Sequence, residues 1–120
     1  FRAAVFNVLA HNRDDHTKNF SFLMDSEGDW SVSPAYDLTF SYGPAGEHCS
    51  TIAGEGKHPG KTHLLKLAEI VAISKQSAMQ IIEEVMDAVL QWKRFAKDAE
   101  VSSSSSNMIE TALSEVRKYF

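Results

Sequence analysis

Four stretches of the chain place apolar residues at the three-to-four-residue spacing of an amphipathic helix. They cover residues 1–10, 62–72, 75–99 and 107–119. Thr62 is a candidate N-cap for the second stretch, and the serine-rich run VSSSSSN separates the last two and can cap the helix that follows it. We therefore expect one helix at the start of the chain and three helices from Thr62 onward.

After the first helical stretch and a polar run, the pattern changes to that of a β-hairpin. In NFSFLM, the apolar residues Phe20, Phe22 and Met24 alternate with smaller or polar neighbours, which predicts a strand that we expect to be buried. DSEGD supplies turn chemistry, and WSVS offers a short return strand that Pro34 ends.

Residues 38–61 are rich in Gly, Ser, Thr and Pro and show little periodicity. They predict a long loop with one short strand at STIA. The order of elements is then helix, polar loop, hairpin, long loop and three helices. This order predicts a single domain over residues 1–120 with an α+β fold that is mainly α-helical, in which residues 62–120 form a helical bundle.

Composition and charge exclude several classes of function. The chain has 120 residues, of which 43% are hydrophobic, enough for a core of its own. Its net charge of −4 disfavours direct binding to DNA or RNA. Cys49 is the only cysteine, which excludes an internal disulfide and a cysteine-rich zinc site. With no apolar run of membrane-spanning length and no signal peptide, we expect a cytoplasmic protein without a membrane partner.

The chain begins at Phe1, inside an apolar-periodic stretch and without a methionine. We therefore expect it to be a fragment of a longer protein.

The polar run HNRDDHTKN, residues 11–19, concentrates ionisable side chains directly before the hairpin. A solvated turn is the default interpretation for any one of these residues alone. A metal site, as in a small metal-dependent hydrolase, would use the ligand-type side chains of His11, Asp14, Asp15 and His16. A catalytic loop for phosphoryl transfer would need a carboxylate that accepts a hydroxyl proton and an amide oxygen that helps to hold Mg²⁺.

The spacing of these residues favours the catalytic loop. Protein kinases place the two groups as H-R-D-x-x-x-x-N, and here Arg13-Asp14 is followed five positions after the aspartate by Asn19. In kinases an aspartate that binds Mg²⁺ follows a short hairpin after the catalytic loop, and here Asp37 follows the predicted hairpin in PAYDL. Because a hairpin returns the chain close to its starting point, we expect Asp14, Asn19 and Asp37 to converge at one end of it.

A second motif is similar to a phosphate-binding loop but lacks its spacing. GEGKHPGKT precedes a predicted helix, and a Walker A motif reads G-x-x-x-x-G-K-[ST]. Counting back from Gly60, the required glycine falls on Glu55, and Gly54 is one position too far. A backbone nest around phosphates tolerates such an insertion poorly, so we expect a mobile Gly/Pro-rich segment instead of a P-loop.

The remaining conspicuous side chains favour structural roles. We expect Trp30 and Trp92 to pack in the fold and not to stack on a ligand. His48, His58 and His63 lie in or beside the long loop, too scattered to predict a site.

Three motifs together resemble the C-terminal, helical part of HipA-type serine/threonine kinases. They are NRDDHTKNFSFLM, VSPAYDL, and GEHCSTIAGEGKHP followed by HLLKLA, and the resemblance is dense over residues 1–72. These kinases are the toxins of bacterial type II toxin–antitoxin modules linked to growth arrest and persistence. The resemblance implies the C-terminal lobe of a protein-kinase-like fold that uses ATP and Mg²⁺. Residues 1–61 would carry the catalytic loop, hairpin and metal aspartate, with an activation or substrate loop over residues 38–61.

Carried over residue by residue, the resemblance assigns Asp14 as the catalytic base, and Asn19 and Asp37 as the metal ligands. The residues that it places beside the nucleotide are His16, Lys18, Asn19, Tyr36 and Asp37. In eukaryotic kinases a lysine follows the base by two positions, whereas His16 stands there in this chain. The positive charge beside the phosphates is therefore divided between His16 and Lys18.

The resemblance also implies partners. The known target of the family is an aminoacyl-tRNA synthetase, and its usual partner is a HipB-like helix-turn-helix antitoxin that binds operator DNA, so contact with DNA would be indirect. His11 stands where many relatives have glycine. No glycine-rich nucleotide loop and no strand-borne lysine is found, so the nucleotide-covering lobe is missing and we expect this piece alone to be inactive. The alternative is a non-catalytic module that binds an antitoxin or another subunit.

Overall fold

The computed structural model describes residues 1–120 and contains five α-helices and one two-stranded antiparallel sheet. In chain order the elements are α1 (Arg2–Leu9), β1 (Phe22–Met24), β2 (Trp30–Val32), α2 (Lys61–Ile70), α3 (Lys75–Val89), α4 (Trp92–Asp98) and α5 (Ser103–Arg117). A 3₁₀ turn, Thr17–Asn19, precedes the hairpin. The prediction of a mainly helical chain with a small hairpin is confirmed. None of the helices has the length and apolar character needed to cross a bilayer.

The hydrophobic core is built around α1. This helix packs against α3 and α5, α2 packs against α3, and α4 packs against α5. The apolar side chains that α1 buries are Val5, Val8 and Leu9. Leu64 of α2 and Leu113 of α5 meet them in the same cluster, together with the apolar stripe of α3. The helix that leads into the polar run is thus held on two sides, so the start of that run has a fixed position.

The single helix predicted over residues 75–99 is wrong, because the structure divides it into α3 and α4. The break falls at Leu90 and Gln91, where Leu90 points an exposed side chain to solvent. Trp92, the first residue of α4, donates its indole N–H to the carbonyl of Ser106 in α5, at 3.0 Å. This hydrogen bond joins the start of α4 to a residue of another helix, so the apolar pattern of residues 75–99 alone does not show it.

Two predicted helix starts also differ. Most of the serine run belongs to α5, which begins at Ser103 and not near residue 107. The prediction that the run caps this helix is confirmed, because Ser102 is the N-cap and its Oγ accepts the N–H of Ser105 at 3.2 Å. The N-cap of α2 is Gly60 and not Thr62. A Cβ atom at Gly60 would lie 2.7 Å from the backbone oxygen of Tyr119, so the close approach of the C-terminal segment requires glycine at this position.

The hairpin is present, but the expectation that its first strand is buried is wrong. β1 and β2 pair in the register Phe22–Val32, Leu23–Ser31 and Met24–Trp30, and every one of these residues is exposed. The principal contacts of β1 and β2 are with each other, and no helix makes an extensive contact with the hairpin. The large apolar side chains that it exposes are Phe22, Leu23, Met24, Trp30 and Val32. Trp30 therefore does not serve as a core residue within this chain.

The segment from β2 to α2 is a long loop, as predicted. STIA does not form a strand; Ile52 instead closes a tight turn, donating its N–H to the Glu55 carbonyl at 2.8 Å and accepting the Glu55 N–H at 3.1 Å. Ile52 is buried in the helical core. The loop is therefore fastened to the helices by an apolar side chain in its middle.

Leu64 tests this description of the core. Leu64→Ala should lower the free energy of unfolding by about 2–5 kcal/mol, because it empties a fully enclosed site. Leu90 is 54% exposed, so Leu90→Ala is the matched control and should change that free energy by less than about 0.5 kcal/mol. Urea-induced unfolding measures both, and equal effects of the two substitutions would contradict the packing.

Candidate functional site

The polar segment, residues 11–16, runs alongside the long loop and is bound to it through the backbone. Arg13 donates its N–H to the carbonyl of Ser41 at 3.1 Å, and its own carbonyl accepts the N–H of Cys49 at 3.0 Å. Ser41 in turn donates its N–H to the carbonyl of His11 at 3.0 Å. Since these bonds join positions about 30 residues apart, the long loop and the polar segment form one unit.

His11 begins this segment in the left-handed backbone conformation, with φ at 55°. Glycine adopts that conformation without cost, so the glycine that the resemblance implies at this position would fit the same backbone. The imidazole ring is buried, its Nδ1 lies 3.1 Å from the Ser41 carbonyl, and it packs against the rings of Phe40 and Tyr42. Burial and the nearby Arg13 charge lower the pKa of His11, so the ring is neutral at neutral pH.

Asp15 is the most strongly held side chain of the segment. It is 3% exposed, and its Oδ2 lies 2.9 Å from Nδ1 of His48, which is itself buried. Ser50 donates its N–H to Oδ1 of Asp15 at 3.0 Å and its hydroxyl to the Asp15 carbonyl at 2.6 Å. We call these three residues the Asp15 clamp. They close the long loop over the polar segment.

Hydrogen bonding determines the charge of the Asp15 carboxyl group. Burial alone would raise the pKa of Asp15, but the hydrogen bonds from His48 and Ser50 outweigh burial and lower it. Asp15 is therefore an ionised carboxylate at neutral pH, with donors on both of its oxygens.

Two of the predicted site residues share a cleft. Asn19 and Asp37 both line a cleft of about 100 Å³ between α1, the 3₁₀ turn and the segment that follows β2. Asp37 is exposed and has φ at 53°, a left-handed conformation. The Asn19 side chain donates its N–H to the Asp14 carbonyl at 3.1 Å. The hairpin thus brings together two residues that are 18 positions apart.

Tyr36 and Lys18 connect the two sides of this cleft. The Tyr36 hydroxyl donates to the Lys18 carbonyl at 2.7 Å, which ties the segment after β2 to the 3₁₀ turn. The Lys18 side chain is exposed and forms no ion pair. Its charge is therefore available beside the cleft.

The Asp14 side chain does not line the cleft, although its carbonyl is bonded to Asn19. Its carboxylate is half exposed, with Nε2 of His16 4.0 Å from Oδ1 and the thiol of Cys49 3.8 Å from the same atom. Desolvation by neighbouring groups and the negative charge of Asp14 raise the pKa of the exposed Cys49 thiol, so Cys49 is protonated at neutral pH. Asp14 is thus accessible from solvent at the edge of the long loop.

Sequence reasoning missed three polar residues in this region. Asn12 is buried and donates its side-chain N–H to Oδ1 of Asn7 at 3.0 Å, and the remaining amide oxygen of Asn12 is enclosed without a partner. Both asparagines line the cleft. The spacing of the histidines in and beside the long loop predicts no site for His48, yet this residue is part of the Asp15 clamp. Its partner lies 33 positions away, and no local pattern could have shown the pair.

The metal site predicted as an alternative is not formed. His11 is turned to Ser41 and Asp15 to His48, away from Asp14 and His16. No group of three or more His, Cys, Asp or Glu side chains lies close enough together to hold a metal ion. The structure therefore contradicts a hydrolase that would use the four side chains of the polar run.

The exclusion of a P-loop agrees with the local hydrogen bonds. Oε1 of Glu55 accepts the N–H groups of Lys57 and His58 at 2.7 and 2.9 Å, and these bonds lower the pKa of Glu55. In a P-loop, backbone N–H groups of this kind would point to phosphate. Here the Glu55 carboxylate already accepts the hydrogen bonds of these N–H groups.

Comparison with known proteins identifies relatives of this chain. A family model described as "HipA-like C-terminal domain" matches residues 1–93. "Putative kinase Y4mE" of Sinorhizobium fredii is 33% identical over 102 residues, a match that covers 82% of this chain and 18% of the relative. The chain thus spans about a fifth of the length of that relative. No solved structure matches the chain.

The Asp15 clamp generates a prediction about stability and pH. At neutral pH, Asp15→Asn should lower the free energy of unfolding by about 1–3 kcal/mol, because charge-assisted hydrogen bonds in a buried site are lost. The folded-state pKa is lowered, so the stabilisation is present above the unfolded carboxyl pKa of about 3.9 and is lost as pH falls through the folded-state pKa. The difference between wild type and variant should therefore shrink below about pH 4.

Asp29→Asn is the control for this experiment, because the Asp29 carboxylate lies in the exposed hairpin turn and accepts no hydrogen bond. Its effect on the free energy of unfolding should stay near zero at every pH. Urea-induced unfolding at a series of pH values measures both variants. A difference for Asp15→Asn that is the same at pH values above and below 4 would contradict the clamp.

Proposed function

This chain belongs to the family of HipA-like C-terminal domains, and on that premise we propose that it is the catalytic, helical lobe of a protein kinase. The longer protein would transfer phosphate from ATP, with Mg²⁺, to serine or threonine of a protein. In a HipA-type module it would act as the toxin. The relative named as a kinase supports this reaction class.

The observation that carries the proposal is the shared cleft of Asn19 and Asp37. A kinase needs an amide oxygen and a carboxylate at one place, from two separate parts of the chain. The hairpin and the bond from Tyr36 to Lys18 hold together the two segments that carry Asn19 and Asp37, which supports this role. A solvated turn would not need a left-handed Asp37 beside an asparagine whose amide is oriented by the neighbouring backbone.

The side chains in the cleft fit a magnesium ion chemically. Mg²⁺ prefers hard oxygen ligands and retains several waters, so it needs only one or two protein groups. The amide nitrogen of Asn19 is engaged with the Asp14 carbonyl, which leaves its oxygen without a protein donor, and the Asp37 carboxylate also has none. Asn19 and Asp37 would hold the ion, which supplies charge neutralisation for the phosphates.

Asp14 would accept the proton of the substrate hydroxyl. Its half-exposed carboxylate can be reached by a protein side chain, and the Asn19 amide fixes the backbone that carries it. Neighbouring positive charge would come from Lys18, and from His16 when it is protonated. These groups bind and orient the phosphates, while the long loop, residues 38–61, borders Asp14 through Cys49 and would receive the protein substrate.

A non-catalytic interaction module is the second candidate, and the exposed hairpin favours it. A two-stranded hairpin is marginally stable alone and normally packs its apolar side chains on another element. Here they are exposed, so a partner surface would cover them. The antitoxin and the synthetase target implied by the family remain proposals for the longer protein.

Asp14 tests the catalytic proposal. In the full-length protein, Asp14→Asn should lower the rate of phosphate transfer by at least about 100-fold, because the proton acceptor is removed. Transfer from radiolabelled ATP to protein serine or threonine measures this. Asp87→Asn is the control, since Asp87 is an exposed residue of α3. Wild-type activity of Asp14→Asn would reject the kinase assignment and leave the interaction module.

Asn19 tests the metal proposal separately. Asn19→Ala should raise the Mg²⁺ concentration for half-maximal phosphate transfer by at least about tenfold, because an oxygen ligand is lost. The Asn107→Ala control changes an exposed residue of α5 and should leave the Mg²⁺ dependence unaltered. A lower maximal rate with an unchanged Mg²⁺ dependence would assign Asn19 to positioning Asp14 instead of binding the ion.

A further inference from the structure

A second, larger cavity of about 570 Å³ lies between the long loop and α5. This volume is in the range of small-molecule sites, which is about 300–1,000 Å³. The cavity shares no lining residue with the cleft of Asn19 and Asp37 and includes none of the predicted kinase residues. Its polar lining includes His11, Arg13, His48, Lys57, Glu115 and Tyr119. The kinase chemistry leaves this cavity without a role.

Two buried histidines, His11 and His48, line the cavity. The Nδ1 atoms of His11 and His48 face a carbonyl and a carboxylate oxygen, at 3.1 and 2.9 Å. Oxygens of these kinds only accept hydrogen bonds, so each Nδ1 carries the proton. In the neutral ring of His11, Nε2 is then a hydrogen-bond acceptor. Neither Nε2 atom has a partner in the protein, and neither is sealed from solvent. Both atoms can therefore form a hydrogen bond with a ligand in the cavity that the two residues line.

The uncompensated charge of the cavity is positive. Glu115 is neutralised by Lys118, whose Nζ lies 2.6 Å from its carboxylate. Arg13 is half buried and donates to the carbonyls of Gly46 and Lys57, but it pairs with no carboxylate. Lys57 forms no ion pair either. A partly buried guanidinium without a counter-charge is costly unless an anion lies nearby.

We propose that this cavity is a binding site for a small anionic molecule that also carries hydroxyl or amine groups. Arg13 and Lys57 supply the charge that attracts the anionic group, and the Nε2 atom of His11 accepts a hydrogen bond from one of its donors. The unpartnered Nε2 atom of His48 offers a second polar contact. The apolar side chains of α5 and the ring of Tyr119 cover the rest of the ligand. The site uses none of the residues assigned to proton transfer, metal binding or nucleotide binding, and it shares only the long loop with the proposed kinase reaction.

Three probes test whether the site binds a small anionic molecule with hydroxyl groups. They are added to the full-length protein without ATP, and they differ in which of the two kinds of group they carry. Glycerol 3-phosphate carries an anion and hydroxyl groups, inorganic phosphate carries the anion alone, and glycerol carries the hydroxyl groups alone. Long-range ¹H–¹⁵N spectra of the imidazole rings report on Nε2 of His11 and His48. We expect glycerol 3-phosphate to shift both resonances saturably, at lower concentration than inorganic phosphate, and glycerol to shift neither.

A pair of variants separates the site from general charge effects. Lys57→Met should weaken glycerol 3-phosphate binding about tenfold, because a charge-assisted contact is lost. Lys93→Met, which removes an exposed lysine of α4 that does not line the cavity, should not change it. The proposal is overturned if no probe gives a saturable shift, if inorganic phosphate binds as tightly as glycerol 3-phosphate, or if the two variants bind equally. Failure to bind because another part of the longer protein fills the cavity would also overturn it.

Discussion

The contact between Asp15 and His48 is the constraint on which the candidate site depends. It joins a short polar segment after α1 to a loop 33 positions later, with an oxygen-to-nitrogen distance of 2.9 Å. Adjacent side chains of a non-helical stretch point to different sides. Holding Asp15 inside therefore leaves Asp14 at the surface, where a substrate could reach it. The hydrogen bonds of Ser50 to the same residue add a second attachment of the loop.

Backbone conformation sets the two ends of the site. His11 and Asp37 both have left-handed φ values, a conformation that costs a residue other than glycine about 1 kcal/mol or more. Such conformations persist where surrounding contacts hold them and are frequent at functional sites. For His11 the contacts are evident in the ring packing against Phe40 and Tyr42. For Asp37 the chain offers no hydrogen bond to the carboxylate, in agreement with a side chain that is kept free to bind a ligand.

Polar and apolar side chains occupy unusual places around this site. Asn12, Asp15 and His48 are buried, whereas the hairpin exposes large apolar groups on both faces. Buried polar groups need hydrogen-bond partners. Asp15 and His48 find them in each other, across the interface between the polar segment and the long loop, and the Asn12 amide donates to Asn7 of α1. The exposed hairpin has no such compensation within this chain. The two regions therefore serve different purposes: one positions the site, and the other offers a surface.

Local pattern determined the helices, the hairpin and the spacing of Asp14, Asn19 and Asp37, because helical periodicity, turn residues and motif spacing are properties of neighbouring residues. It also supported the family. Only the tertiary structure decided that the helix predicted over residues 75–99 is divided in two and that the hairpin is exposed. It also decided that Gly60 is the N-cap of α2. Each of these features depends on contacts with distant parts of the chain. The role of His48 and the cavity beside α5 were likewise decided only by the tertiary structure. Their partners are brought together by folding, and no spacing along the chain records them.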